Sequence, residues 1–167
     1  VCFNGIINKA SNIKNIGPIL SSNLCTEIME PASQKEIPVC NLAAIRLTSC
    51  VKDGKFNFNK FKKLCILGVN NLNGTIDNGC YITKESKLAN EHYRPIGLGY
   101  MGLHDTFIDL NIIYGSTESK KLLHLISEHM YYNCLEESCN LSDKFGPHED
   151  FEGTDLSKGI LHFDYFN

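Results

Sequence analysis

The sequence predicts an α/β fold. Short apolar, strand-like runs alternate with stretches of helical periodicity. Two of the helical patterns are long and carry clear start and stop signals. With 167 residues, 43% hydrophobic and 21% charged, the chain has the composition of one globular domain, or of a piece of a larger one.

The elements follow in order. Residues 11–17 are polar and read as a loop. Pro18 to Leu24 is extended and leads into Cys25, and two prolines in 31–38 mark a turn. Val39 to Leu47 is apolar enough for a buried strand, although a helix start also fits. Asp53-Gly54 signals a tight turn. Asn59 to Asp77 reads as a helix, because Phe61, Leu64, Cys65, Gly68, Leu72 and Ile76 fall on one stripe, and Asn78-Gly79 ends it. Arg94-Pro95 stops any helix before it.

Ile96 to Met101 reads as a buried strand and Gly102 to Leu110 as a short helix. A long helix begins at Ser116 or Thr117 and stops at Gly146-Pro147. Its expected apolar face is Leu122, Leu125, Ile126, His129, Met130, Cys134, Leu135 and Cys139. No repeat or low-complexity segment interrupts this order. The chain opens without Met and closes on the apolar run 159–167, which normally needs burial, so a segment of a longer chain is the expectation.

Composition excludes several classes. A net charge of -3 without a basic stripe gives no reason to expect nucleic-acid binding. No apolar run approaches the ~18 residues that cross a bilayer. Eight cysteines could suggest a disulfide scaffold, but there is no secretory signal, no CxxC and no Cys/His cluster at metal-ligand spacing. A reducing, cytoplasmic setting follows, with most thiols as small buried hydrophobes. Gly97 to Gly102 spells GxGxxG, but Arg94-Pro95 stands where a strand should precede it, so close packing is the better reading than nucleotide binding. Tyr131-Tyr132 lies mid-helix and reads as packing.

The chemistry centres on Ser22-Asn23-Leu24-Cys25-Thr26-Glu27. In an extended segment, Asn23, Cys25 and Glu27 share one face. A carboxylate beside a thiol disfavours the thiolate, which suits neutral S–H hydrogen-atom chemistry better than nucleophilic attack. The carboxylate could serve as a base on a neighbouring hydroxyl. Spacing alone favours a plainer account, a strand end with a buried thiol and a surface Glu. Cys40, fifteen positions after Cys25 across the prolyl turn, is a redox partner or a second core thiol.

The segment Ser22 to Ile28, followed by Val39-Cys40-Asn41-Leu42-Ala43, resembles the large (catalytic) subunit of class I ribonucleoside-diphosphate reductase, of the eukaryotic and viral type. The likeness continues through Asn71-Leu72-Asn73, Arg94 to Gly99, Gly102-Leu103, Tyr131-Tyr132, Gly146-Pro147, Phe151-Glu152-Gly153 and Ser157 to Leu161. Ile82, Tyr100-Met101, His104 and Pro38 depart from the usual pattern, away from the proposed site.

The resemblance implies a fragment, residues 1–167, of a ten-stranded α/β barrel whose inserted finger loop carries the radical cysteine. It implies reduction of a ribonucleoside diphosphate to the 2′-deoxy product. Cys25 would form a thiyl radical and remove the 3′ hydrogen, and Glu27 would be the base on the 3′ hydroxyl. Asn23 would hold the ribose hydroxyls, with Ser22 beside it in the substrate site. Cys40 would be half of a redox-active disulfide whose partner lies before Val1. Burial would keep Cys25 neutral and protect its radical.

The resemblance also implies a small subunit that supplies the radical from its metal-containing cofactor, with thioredoxin or glutaredoxin as reductant. ATP, dATP and other dNTP effectors, and a homo-oligomer of large subunits, are implied as well. No cofactor, metal, nucleic acid or membrane is expected on this segment itself, and the segment alone is expected to be inactive. A cobalamin-dependent class II reductase shares the Asn-Leu-Cys-x-Glu logic, and a non-catalytic homologue that only binds partners is the other alternative.

Overall fold

The computed structural model of the chain describes residues 4–166, so Cys2 lies outside the described residues. In order, the elements are α1 (Asn4–Ala10), β1 (Leu42–Arg46), β2 (Val51–Lys52), β3 (Lys55–Phe56), α2 (Phe58–Asn78), α3 (Lys84–Tyr93), β4 (Gly97–Met101), α4 (Leu103–Asp109) and α5 (Thr117–Phe145). Short 3₁₀ turns occupy Leu47–Cys50, Leu156–Lys158 and His162–Phe166. The mixed α/β arrangement is as expected. Among the described residues the strands form two two-stranded sheets and no closed barrel. The chain divides into two compact units: residues up to Cys40 with Ile76–Pro95 and those from Pro147 onward, and Asn41–Thr75 with Ile96–Gly146.

The second unit is built on a parallel pair. β1 and β4 run the same way in the register Leu42↔Gly97 to Arg46↔Met101. Parallel strands need a long crossover, and α2 lies within it. Ile45 is buried, and Leu98 and Tyr100 pack against the same core of Leu47, Cys50, Phe61, Cys65, Ile126 and Met130. The helical stripe on α2 emerges as expected, with Phe61, Cys65, Leu72 and Ile76 buried, and Val69 belongs to it too. Two glycines allow the close approach: a Cβ on Gly68 would sit 2.7 Å from Leu98 Cδ2, and one on Gly97 would sit 2.5 Å from Leu42 Cδ2. The close strand–helix approach is made by Gly68 of α2 against Leu98, whereas Gly97 meets the neighbouring strand β1.

The Asp53-Gly54 signal becomes a hairpin between β2 and β3, with both central residues at positive φ (51° and 67°), the mirror-image turn that matches strand twist. Ser116 caps α5 by accepting from the Ser119 amide at 3.1 Å. Lys62 and Glu136 pair at 2.7 Å between α2 and α5, and the Asn70 side-chain amide donates to Glu137 at 2.6 Å.

Several expectations are corrected. β1 is shorter than Val39–Leu47 and is a strand, not a helix start. Neither β1 nor β4 is buried throughout, and Leu42 and Met101 are about half exposed, because the helices cover one face of the pair only. On α5, Ile126 and Met130 are buried, whereas Leu125, Cys139 and both Tyr131 and Tyr132 are exposed. The tyrosine pair is therefore not core packing; Tyr132 donates to Glu136 at 3.3 Å. Of the seven described cysteines only Cys50 and Cys65 are buried, so most thiols are not core hydrophobes. Ile160 and Phe163, in the terminal apolar run, are exposed too.

In the first unit, Asn8 clamps Ile19 on both sides, donating to its carbonyl at 2.9 Å and accepting from its amide at 2.7 Å. Lys14 pairs with Asp155 at 3.0 Å, and the Asn15 side chain donates to the Asp150 and Glu152 carbonyls, each at 3.2 Å. The α3 helix, marked in the sequence only by its Arg94-Pro95 stop, is capped by Thr83, which accepts from the Ser86 amide at 3.1 Å.

Phe61 is fully buried at the centre of the second unit. Phe61→Ala is expected to cost about 3–5 kcal/mol in urea denaturation; a loss below about 1 kcal/mol would contradict the core described here.

Candidate functional site

The segment carrying Ser22, Asn23, Cys25 and Glu27 is not a strand. It is a turn, closed by the Thr26 amide donating to the Asn23 carbonyl at 3.1 Å. The shared-face argument for Asn23, Cys25 and Glu27 is thus corrected: alternation needs extended backbone, and Thr26 sits at φ 64°. A β-branched residue there stores about 1–3 kcal/mol of strain. Side chains hold the turn instead. The Asn23 Oδ1 accepts from the Ile28 amide at 3.1 Å and from the Ser22 hydroxyl at 3.2 Å. The Ser22 hydroxyl is also 2.7 Å from the Ile28 carbonyl. Ser22 and Asn23 form the base, and Leu24, Cys25 and Glu27 stand on the exposed side. The burial of Cys25 that the resemblance implies is not supplied by these residues.

The chain then turns back. Ser33 organises the prolyl loop by accepting from the amides of Lys35 (3.2 Å) and Glu36 (3.0 Å). The loop is pinned to α3: Glu36 meets His92 Nδ1 at 2.6 Å, the Ile37 amide donates to the Glu85 carbonyl at 3.3 Å, and the Tyr93 hydroxyl donates to the Pro31 carbonyl at 3.2 Å. This return brings Cys40 into the electrostatic field of the turn. Partial desolvation, then the negative charges of Glu30 and Glu27, hold the Cys40 thiol above its ordinary value, with Cys25 adding a smaller push. Cys40 is therefore a neutral thiol at neutral pH, exposed like Cys25 rather than part of a core.

Glu30 is the residue that sequence reasoning missed. One carboxyl oxygen, Oε2, is buried with no hydrogen-bond partner among the described residues. Burial pushes its pKa up to about 7. It also acts on Tyr93, whose hydroxyl burial and neighbouring carboxylates push well above its usual value. Nothing in the spacing after Glu27 flags Glu30; the signal would have been recognising α3, against which the loop folds. Among the described residues no group of three or more His, Cys, Asp or Glu could hold a metal ion, and no helix is long and apolar enough to cross a membrane.

The arrangement is a small constellation of two exposed thiols, Cys25 and Cys40, and two carboxyls, Glu27 and Glu30, on one loop system. The family model for the ribonucleotide reductase barrel domain matches residues 1–167. The chain belongs to the ribonucleotide reductase family. It is 47% identical over 166 residues to a ribonucleoside-diphosphate reductase large chain of Cryptosporidium parvum, covering 98% of this chain and 21% of that protein. It is 43% identical over its whole length to the large subunit of Monkeypox virus, of which it spans 22%. Against the large chain of Schizosaccharomyces pombe it is 43% identical over 160 residues, 96% of this chain and 20% of that protein. The chain thus spans about a fifth of the length of these reductase relatives.

A carboxyl whose folded pKa lies above its unfolded value binds more protons when folded. Glu30 therefore contributes stability that is fully present below pH 4.5 and is lost as pH rises through about 7. Glu30→Gln is expected to flatten the fall of the melting temperature across that window; an unchanged pH profile would show that Glu30 titrates normally.

Proposed function

We propose that this chain is part of the catalytic barrel of a ribonucleoside-diphosphate reductase large subunit, and that the turn at Ser22–Ile28 is the tip of the finger loop inside a ten-stranded α/β barrel. All of residues 1–167 belong to that barrel in this reading. The half-exposed apolar residues Leu42 and Met101 support it, since uncovered apolar strand positions call for further packing partners. Enclosure by the remaining strands would supply the dry surroundings that the exposed Cys25 needs.

In this reading Cys25, as a thiyl radical, takes the 3′ hydrogen of a ribonucleoside diphosphate and later returns it. Glu27 accepts the 3′ hydroxyl proton, which drives loss of the 2′ hydroxyl as water. Asn23 and Ser22 hold the ribose. Cys40 and a second cysteine supply two electrons to the sugar and are oxidised to a disulfide. The radical comes from the metal-containing small subunit, and thioredoxin or glutaredoxin reduces the disulfide. ATP, dATP and other dNTPs regulate a homo-oligomer of large subunits in the cytoplasm, making deoxynucleotides for DNA synthesis.

The observation that carries the proposal is the return of Cys40 into the field of Glu27, Glu30 and Cys25, the juxtaposition that a radical thiol and a redox thiol acting on one sugar require. The reading requires Cys25 to act as a thiol, since a thiolate has no hydrogen to exchange.

In the complete subunit, Cys25→Ser is expected to reduce deoxynucleotide formation to background while substrate binding persists. Full turnover by that variant would sink the assignment. Cys40→Ser is expected to leave radical initiation intact, read as loss of the small-subunit radical on adding substrate, while abolishing multiple turnover with a dithiol reductant. Sustained turnover by that variant would remove Cys40 from the redox pair.

A further inference from the structure

The second unit holds a pair of thiols with no part in the chemistry above. Cys65, on α2, is fully buried in the core, and Cys134, on α5, packs against the cluster that contains it. The two side chains are joined by a hydrogen bond, Cys65 donating to the Cys134 sulfur, and neither is in a disulfide. Their accessibility differs. Cys134 lines a largely apolar cavity of about 390 Å³ together with Val69, Leu98, Tyr100, Met130 and Tyr131, whereas Cys65 has no exposed surface. A small neutral oxidant such as hydrogen peroxide can enter an apolar cavity of that size, and a bulky or charged thiol reagent cannot follow it easily.

We propose that Cys65 and Cys134 form a peroxide-responsive thiol pair, with Cys134 as the sulfur attacked first and Cys65 as the resolving sulfur, whose disulfide staples α2 to α5. The Cys134 sulfur attacks one peroxide oxygen; an S–O bond forms, the O–O bond breaks, and water leaves with the Cys134 proton. The sulfur is oxidised by two electrons to a sulfenic acid. Cys65 then loses its proton and attacks the Cys134 sulfur; the S–S bond forms, the S–O bond breaks, and a second water leaves. Two thiols and one peroxide give one disulfide and two waters.

The assignment of roles follows the surroundings. The hydrogen bond from Cys65 favours the Cys134 thiolate, while the same bond and burial hold the Cys65 thiol well above its usual range. Thiolate character and access together select the first site of oxidation. Two other links already join the helices, Lys62 to Glu136 and Asn70 to Glu137. Cys50 is the other buried thiol of the same cluster and the natural competitor as resolving sulfur.

The test uses the full-length subunit with hydrogen peroxide, alkylation of remaining thiols under denaturing conditions, and mass spectrometry of the proteolytic peptides. A Cys65–Cys134 cross-linked peptide that disappears on dithiol reduction is expected. In Cys65→Ser, which keeps a hydrogen-bond donor to the Cys134 sulfur but cannot form the disulfide, the Cys134 sulfenic acid should accumulate and, on denaturation in the presence of dimedone, be trapped at least tenfold over the unmutated protein. The Cys134→Ala variant should show no new oxidation at Cys65. Because an alanine in the core could disturb folding, the cross-link in the unmutated protein decides first. Unmodified Cys134 after peroxide treatment, or cross-linking of Cys65 to Cys50 instead, would overturn the proposal.

Discussion

Parallel pairing of β1 with β4 is the constraint from which the second unit follows. Two strands running the same way cannot be joined by a tight turn, so the intervening chain must travel back outside the sheet. That requirement selects a long helix, and α2 meets it with one buried stripe from Phe61 to Ile76. The first ladder bond, the Gly97 amide donating to the Asn41 carbonyl at 2.8 Å, lies one residue beyond Cys40. The strand pair therefore begins where the candidate site ends.

The candidate site depends on polar clamps rather than on a strand. Asn23 bridges residues 22 and 28 with a single carboxamide oxygen, while α3 holds the prolyl loop through His92, Tyr93 and the Glu85 carbonyl. These contacts fix the path of the loop that joins the two thiols. Partial desolvation, then the negative charges of Glu30 and Glu27, disfavour the Cys40 thiolate.

Much of this was legible in the sequence. Helical periodicity gave α2 to within a residue at each end, Ser116 and Gly146 gave α5, and Asp53-Gly54 gave the hairpin turn. The likeness around Cys25 and Cys40 gave the family. What the pattern could not give was tertiary. An apolar run such as Ile96 to Met101 predicts burial, but hydrophobicity reports a tendency to be covered, not the presence of the cover. Period-two reasoning failed at Cys25 because one residue at positive φ breaks the alternation, and Thr is a poor advertisement for that conformation. Glu30 carries no sequence signature, since its character comes from what the loop folds against.

The backbone at Thr26 has a mechanical corollary. The left-handed backbone sits on a residue that the carboxamide of Asn23 spans without touching, so the bend is imposed from its flanks and not by its apex. Glycine at position 26 would adopt that backbone freely, and the bracket of Ser22, Asn23 and Ile28 would then be holding a shape the apex no longer resists.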